Sequence, residues 1–302
     1  MPTISINFNN KSGTFCPGDV VDGTVIIDCE SKRKHMGITI KAEGVLNLHS
    51  SKDGSMDSLS SSSSKKILDL EIPLQYQEKL PEGKTEFPFQ FSLDPIDGQT
   101  LYESYSGVYV SVNYLATVHI QGGLFAKSLE KSVEFFVFNP TPEVPVDQKP
   151  LSFTLSRDSL KKSSTDAINS LPDFSIVGQL DKGVCDICKP LSGFLRIDRC
   201  DTSIKSIEAQ LLRVETVGTG VDRMRESTEI MNIQIAHDDP PKKVEIPLFL
   251  LFPKLFVCTS TEGEGFRIQF QLNLTVTLEN NLYISDNLAF KIVRSGLTDH
   301  YA

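Results

Sequence analysis

Apolar and polar residues alternate along much of the chain. "GTVIID", "GITIKAEGVLNL", "GVYVSVNYLATVHI" and "FRIQFQLNLTVTL" each place an apolar or β-branched side chain at about every second position, the period of a strand with one dry face. In the last of these, Phe266, Ile268, Phe270, Leu272, Leu274 and Val276 fall on one face. Arg267, Gln269, Gln271, Asn273, Thr275 and Thr277 fall on the other. No segment of comparable length keeps the 3.6-residue period; the best helical candidate, "RDSLKKSSTDAINSL" from Arg157 to Leu171, is weakened by its serines and threonine. Turn chemistry punctuates the strands at "CPGD", "EKLPEGK", "DPIDGQ" and "QGG" in the first half, and at "DKG", "ENN" and "SDN" in the second. Short strands with regular turns predict an all-β protein built of antiparallel β-sandwiches.

Two segments break this patterning. Ser50 to Lys66, "SSKDGSMDSLSSSSSKK", is a serine tract of low complexity, expected to be a disordered hairpin loop because its side chains cannot repay their ordering entropy by burial. Phe138 to Pro150, "FNPTPEVPVDQKP", carries four prolines and reads as an inter-domain linker. On its two sides the same order of segments recurs. "DGTVIID", "GITIKAEGVLNL", "EFPFQF" and "VYVSVNYLATVHI" are answered by "SGFLRID", "IKSIEAQLLRVETV", "EIPLFL" and "FRIQFQLNLTVTL". Gly23 corresponds to Gly193, Pro88 to Pro247 and Tyr109 to Arg267. The predicted organisation is an N-terminal sandwich over 1–138, a linker over 139–150 and a C-terminal sandwich over 151–302.

Length and composition fit this reading. The 302 residues suit two domains, and 39% hydrophobic with 23% charged residues is ordinary for a globular chain. No apolar run approaches the roughly 18 residues of a membrane span, and "MPTISINFNN" has no signal-peptide features, so the chain is expected in the cytosol with its six cysteines reduced. A net charge of −9 argues against unaided binding to nucleic acid or anionic lipid. "KRKH" at Lys32 to His35 and the pairs Lys65-Lys66 and Lys242-Lys243 are short and read as solvated loops. The expected partners are proteins.

The densest polar cluster is "IAHDDPPKKVE", from Ile235 through Ala236, His237, Asp238, Asp239, Pro240, Pro241, Lys242, Lys243 and Val244 to Glu245. An acid–base pair needs fixed geometry and a pocket that shifts pKa values. Adjacent aspartates in a diproline turn are expected to project apart and stay hydrated. No catalytic residue is therefore assigned, and the segment is either a recognition loop carried by a rigid sandwich or a solvated hairpin connection. "CDIC", Cys185 to Cys188, has CxxC spacing but no second CxxC to complete a zinc site and no helix N-terminus to acidify a thiol. No metal or cofactor is predicted. His35, His49, His119 and His300 are scattered, and "VGTG" after a strand opens no helix. The tyrosines of "YESYSG", Tyr102 to Gly107, can pack at a strand corner or present phenols to a partner, and packing is expected.

The ordered pair of sandwiches resembles the arrestin fold. "YESYSGVYVSVNYLATVHI", "GKTEFPFQF", "IEAQLLRVETVGTG", "TEIMNIQIAHDDPPKKVEIPLFL" and "FVCTSTEGEGFRIQFQLNLTVTLE" are similar to the arrestin-like subunits of retromer-class endosomal sorting complexes, over Ile4 to Val293. Within that family the nearest branch is the subunit of the Retriever complex. The serine tract matches the family poorly, and the chain ends soon after its last strand, which favours the Retriever branch over retromer. The resemblance implies a non-enzymatic adaptor, cytoplasmic and peripheral to endosomes, that helps return integral membrane cargo to the cell surface. It implies an α-solenoid scaffold subunit and a small metallophosphoesterase-like subunit as partners within one trimer, together with the Commander assembly and a sorting nexin adaptor. It assigns Ile235 to Glu245 to the scaffold contact and leaves the N-terminal sandwich free for an adaptor or cargo tail, which could add a strand to an exposed sheet edge. The alternatives are a retromer-type subunit, or an α-arrestin, although no proline-proline-x-tyrosine motif is present.

Overall fold

A computed structural model describes residues 2–50, 61–123, 127–141, 149–159, 172–220, 223–253, 257–279 and 281–295. The chain divides into two compact units, one running through Asn139 and the other starting at Pro140. Among the described residues every regular element is a β-strand.

In the first unit, β1 (Thr3–Phe8), β3 (Val20–Cys29) and β6 (Gly83–Ser92) form a three-stranded antiparallel sheet in the order β1-β3-β6. The facing sheet has the order β2-β9-β8-β4-β5, from β2 (Thr14–Phe15), β9 (Leu129–Val137), β8 (Val110–Gln121), β4 (Arg33–Ser50) and β5 (Ser61–Leu80). A short strand, β7 (Tyr105–Ser106), pairs with β8. The predicted alternation is realised: β3 buries Val21, Val25 and Ile27, and β8 buries Val110, Val112 and Tyr114 on one face. Phe8, Phe15 and Phe135 meet edge to face, with ring centroids 5.7–6.0 Å apart, and join the two sheets.

The second unit repeats the first, each strand standing ten places later. One sheet runs β10-β11-β13-β16, from β10 (Leu151–Ser156), β11 (Phe174–Leu180), β13 (Leu191–Cys200) and β16 (Glu245–Leu250). The other runs β12-β19-β18-β14-β15, from β12 (Val184–Asp186), β19 (Tyr283–Val293), β18 (Phe266–Leu278), β14 (Ile204–Val217) and β15 (Met224–His237), with β17 (Thr261–Gly263) paired to β18. β2 and β12 both lie parallel to the last strand of their unit. Only β10 has no counterpart among the described strands of the first unit.

The correspondence extends to single residues. Gly23 and Gly193 both sit where a Cβ would drive into a neighbouring carbonyl, 2.3 Å from Asn7 O and 2.2 Å from Gln179 O. Thr24, next to Gly23, lies opposite Pro88, and Phe194, next to Gly193, lies opposite Pro247. Ser104 and Ser260 make the same two-way clasp. Each donates its N–H to the last strand (Val137 O and Ile292 O, both 2.8 Å), and each hydroxyl receives the N–H of that same residue at 2.9 Å.

Three expectations need correction. The third sequence correspondence shifts by two residues: Val112 and Ile268 pair with the short strands, so Tyr109 matches Gly265, and Arg267 matches Ser111. "SDN" is no turn, because Ser285, Asp286 and Asn287 lie inside β19 opposite Thr275, Leu274 and Asn273. All three are exposed, so composition mimicked a loop while ladder hydrogen bonds held the strand. The serine tract is in part a strand: Ser61 to Lys66 belongs to β5 and pairs against Val45 to Ser50. Backbone pairing along β4 supplies what the serine side chains do not. Residues 51–60, 142–148 of the linker and most of the helical candidate lie outside the described residues.

Candidate partner-docking surface

The segment from Ile235 to Glu245 joins β15 to β16 and so links the two sheets of the second unit. Its entrance is a β-bulge. Ala236 pairs with Ile207 and Gln234 with Glu208, which leaves Ile235 as the extra residue, half-buried like Ala236 after it. His237, exposed, ends the strand opposite Ser206.

Beyond it the backbone turns through left-handed conformations at Asp238 (φ 53°), Asp239 (φ 50°) and Lys243 (φ 63°), a region that aspartate tolerates better than most residues. The turn is pinned at both ends. The Asp238 and Asp239 N–H groups donate to Lys205 O (3.2 Å) and Ile204 O (2.8 Å), and the Asp239 carboxylate accepts the Ile204 N–H at 3.2 Å. Lys243 N–H donates to Ile197 O at 2.7 Å, and the Lys242 ammonium to Cys200 O at 2.6 Å. Pro240 is buried beneath the turn.

Both aspartates are exposed, as expected, although the Asp239 carboxylate and the Lys242 ammonium also make hydrogen bonds within the unit. The other exposed residues of the segment are His237, Asp238, Pro241, Lys243, Val244 and Glu245. His237 Nδ1 lies 2.9 Å from Asp238 Oδ2, yet both side chains are largely solvated, 65% and 87% exposed. That contact stands on the surface, without the enclosure that acid–base chemistry requires.

The surface continues onto the outer face of β16. Leu248 and Leu250 point into the core, while Phe249 (55% exposed) and Leu251 (64%) do not, and Val244 (50%) adjoins them along the chain. Across the ladder the half-buried Phe194 stands opposite the exposed Pro247. The first unit shows what this face looks like without such residues. At the same offset from its proline, Gln90 and Ser92 replace Phe249 and Leu251, and Thr24 replaces Phe194. One backbone register therefore carries a polar outer face in one unit and an apolar one in the other. Phe252 is core, stacked on Phe290 at 6.2 Å, and Phe249 is surface. Phe194, Pro247 and Leu251 were missed, although the offset fixed by Pro88 and Pro247 could have exposed them.

The remaining candidates resolve as structure. In "CDIC", Cys185 is buried in β12 and burial pushes its thiol up to about 11, the opposite of an activated cysteine. Burial also pushes the Asp186 carboxyl up, but hydrogen bonds from the Ser295 hydroxyl and the Cys188 and Ser295 N–H groups outweigh it and hold the group below its ordinary value. Asp186 thereby ties this turn to the residues after β19. Among the described residues no group of three or more His, Cys, Asp or Glu side chains is placed to share a metal ion. Tyr105 is buried and Tyr102 half-buried, and the Tyr114 hydroxyl donates to Tyr102 O at 2.7 Å.

Comparison with known proteins gives two family matches. Residues 4–140 match the arrestin (or S-antigen) N-terminal domain, and residues 193–281 match vacuolar protein sorting-associated protein 26, Vps26. The second match spans the whole segment from Ile235 to Glu245. Vacuolar protein sorting-associated protein 26C of Dictyostelium discoideum is 37% identical over 287 residues, covering 92% of this chain and 94% of that protein. Vacuolar protein sorting-associated protein 26 of Plasmodium falciparum is 25% identical, covering 89% and 84%. The Dictyostelium protein of that same name is 24% identical, covering 95% and 76%.

Proposed function

Because the chain belongs to the Vps26 family, we propose that it is a non-enzymatic adaptor subunit of an endosomal sorting complex, of the type found in Retriever, that works with the Commander assembly to return membrane cargo to the cell surface. The observation that carries this reading is the 37% identity to a 26C protein along nearly both chains, against 25% and 24% to two proteins named Vps26. A retromer-type subunit is the second reading, and the lower identities weigh against it.

On this reading the segment from Ile235 to Glu245 and the outer face of β16 form one contact with the end of an α-solenoid scaffold. The physical support is local. A loop held by backbone hydrogen bonds and left-handed turns loses little entropy on docking. Phe249 and Leu251 offer apolar area beside Asp238 and Lys243, which can favour one partner orientation. The small metallophosphoesterase-like subunit and the sorting nexin adaptor complete the proposed assembly from other surfaces. The protein acts at the cytoplasmic side of endosomes through these partners.

The test is co-purification with the Retriever scaffold and, separately, with the retromer scaffold. Two variants accompany the parent: Phe249→Ser with Leu251→Ser, which copies the polar character of the first unit, and Asp238→Ser with Lys243→Ser, which spares Asp239 and Lys242. Selective capture of the Retriever scaffold, lost in the first variant with its thermal midpoint unchanged, is the expected result. Capture by the retromer scaffold alone assigns the other branch. Binding to neither overturns the adaptor reading.

A further inference from the structure

One edge of β18 changes partner partway along. β19 pairs with it as far as Phe290 opposite Phe270, β17 takes over at Thr261 opposite Ile268, and neither strand pairs with Gln269 between them. β19 turns instead to β12, where Lys291 N–H donates to Gly183 O at 2.9 Å. A cleft of about 510 Å³ opens at this parting, lined by Arg267, Glu262, Gln269, Ser260 and Lys291 among others. A second cleft, of about 280 Å³, shares Arg267 and Glu262 and is lined by Arg223 and by the glycines of two turns, Gly218 and Gly220 on one and Gly263 and Gly265 on the other. Together they reach the size of a small-molecule site.

The first unit builds the same backbone here with other side chains. Phe136 N–H donates to Gly13 O at 2.8 Å where Lys291 donates to Gly183, and His49 N–H donates to Tyr109 O at 2.8 Å where Gly218 donates to Gly265. Ser111, Phe136 and Glu134 correspond to Arg267, Lys291 and Ala289, and each of these differences makes the second unit more positive. Ser106 against Glu262 is a difference in the opposite direction. His49 and Tyr109 correspond to Gly218 and Gly265, which take left-handed conformations (φ 88° and 77°) and leave open the space that two large side chains would fill. In a chain of net charge −9, the second unit has gathered cations around an opening.

The groups there suit an anion with several oxygens. Arg267 donates from one terminal nitrogen to the Glu262 carboxylate, which fixes the guanidinium, while its Nε is buried with no hydrogen-bond partner among the described residues. Lys291 is exposed and belongs to no ion pair among the described residues, and Arg223 is exposed as well. The Ser260 hydroxyl accepts the Ile292 N–H at 2.9 Å, so its own proton points elsewhere. Gly218 and Gly220 (φ 62°) flank Thr219 with left-handed backbone, an alternation of hand that favours anions at the main chain.

We propose that the two clefts form one binding site for a small organic phosphate that carries a second anionic group. The phosphate lies between Arg223 and Arg267 beside the glycines, and the second group meets Lys291. The site belongs to the second unit alone and stands apart from the scaffold contact.

The test is calorimetric titration of the full chain at low salt with fructose 1,6-bisphosphate and, separately, with inorganic phosphate, read together with amide chemical shifts. Binding is expected with shifts gathered at Thr216, Gly218, Gly265, Gln269 and Lys291. Arg267→Ser installs the residue that the first unit carries on this backbone, and Arg223→Ser alters an exposed position. Each should weaken both probes at least about tenfold, as loss of a charged hydrogen-bond donor would, with the thermal midpoint of the parent. Lys291→Phe, again the first unit's residue, should weaken the bisphosphate and leave inorganic phosphate unchanged. Equal affinity in all variants, or equal displacement of the bisphosphate by citrate at matched ionic strength, would overturn the proposal. So would capture by vesicles carrying phosphatidic acid without binding of the soluble ester, because the ligand would then be a lipid headgroup.

Discussion

His35 is 1% exposed, and neither ring nitrogen has a hydrogen-bond partner within the protein. It sits on β4 opposite Glu78, and Gln75 and Arg33 lie nearby with buried polar atoms of their own left unpaired. Burial depresses its pKa below the ordinary 6.5, against the opposing pull of Gln75 and Glu78. The neutral ring is thus favoured in the folded state, so the stability it contributes is complete above about pH 6.5 and is lost as the pH falls through the folded value. Urea midpoints at pH 7.5 and 5.5 should fall further for the parent than for His35→Gln, and parallel losses would refute this. A second buried polar feature shows how the units diverged. Arg213 and Glu215 form a buried pair at 3.3 Å on β14. Arg213 lies opposite Phe270 and Glu215 opposite Ile268, where the first unit has Gly44 opposite Tyr114 and Leu46 opposite Val112. Alternation marked those positions as inward, but it gave no reason to expect charge there.

At the scale of elements, the loop after β15 depends on one side chain for its shape. Asp239→Ala removes the acceptor of the Ile204 N–H and leaves an alanine at φ 50°. The expected cost is about 1–2 kcal/mol, read by urea denaturation, with faster amide exchange at Ile204. An unchanged midpoint would mean that the Lys242 and Lys243 contacts alone fix the turn. The long strands were legible in the sequence because each keeps one dry face over many residues. β2 and β12 were not, since two or three residues carry no period, and their parallel pairing arises from the fold. β15 illustrates the opposite failure: its pattern has no fully buried residue, and two bulges shift its register. The loop was found as composition, yet its apolar neighbour on β16 emerged only once Pro88 and Pro247 were seen at one position of a repeated sheet.

At the scale of the whole molecule, each unit has its own pair of sheets and its own core. Residues 1–139 and residues 140–302, expressed separately, should each give a dispersed amide spectrum and a single cooperative thermal transition. A half that remains unfolded would show that its core needs the other. Two-fold repetition was readable in the order of segments, whereas the extra strand β10 was not, because the proline-rich stretch before it masked a strand that finishes an edge.

The parallel clasps of β2 on β9 and β12 on β19 also govern the order of events during synthesis. Thr14 meets Phe136, and Cys185 meets Ile292, so each sandwich joins its second strand to its last. While the chain is being made from its N-terminus, the first unit cannot close until β9 has left the ribosome, and the second not until β19 has. A ribosome stalled before β9 holds a nascent sandwich with an open flank, its phenylalanines at 8 and 15 waiting for Phe135.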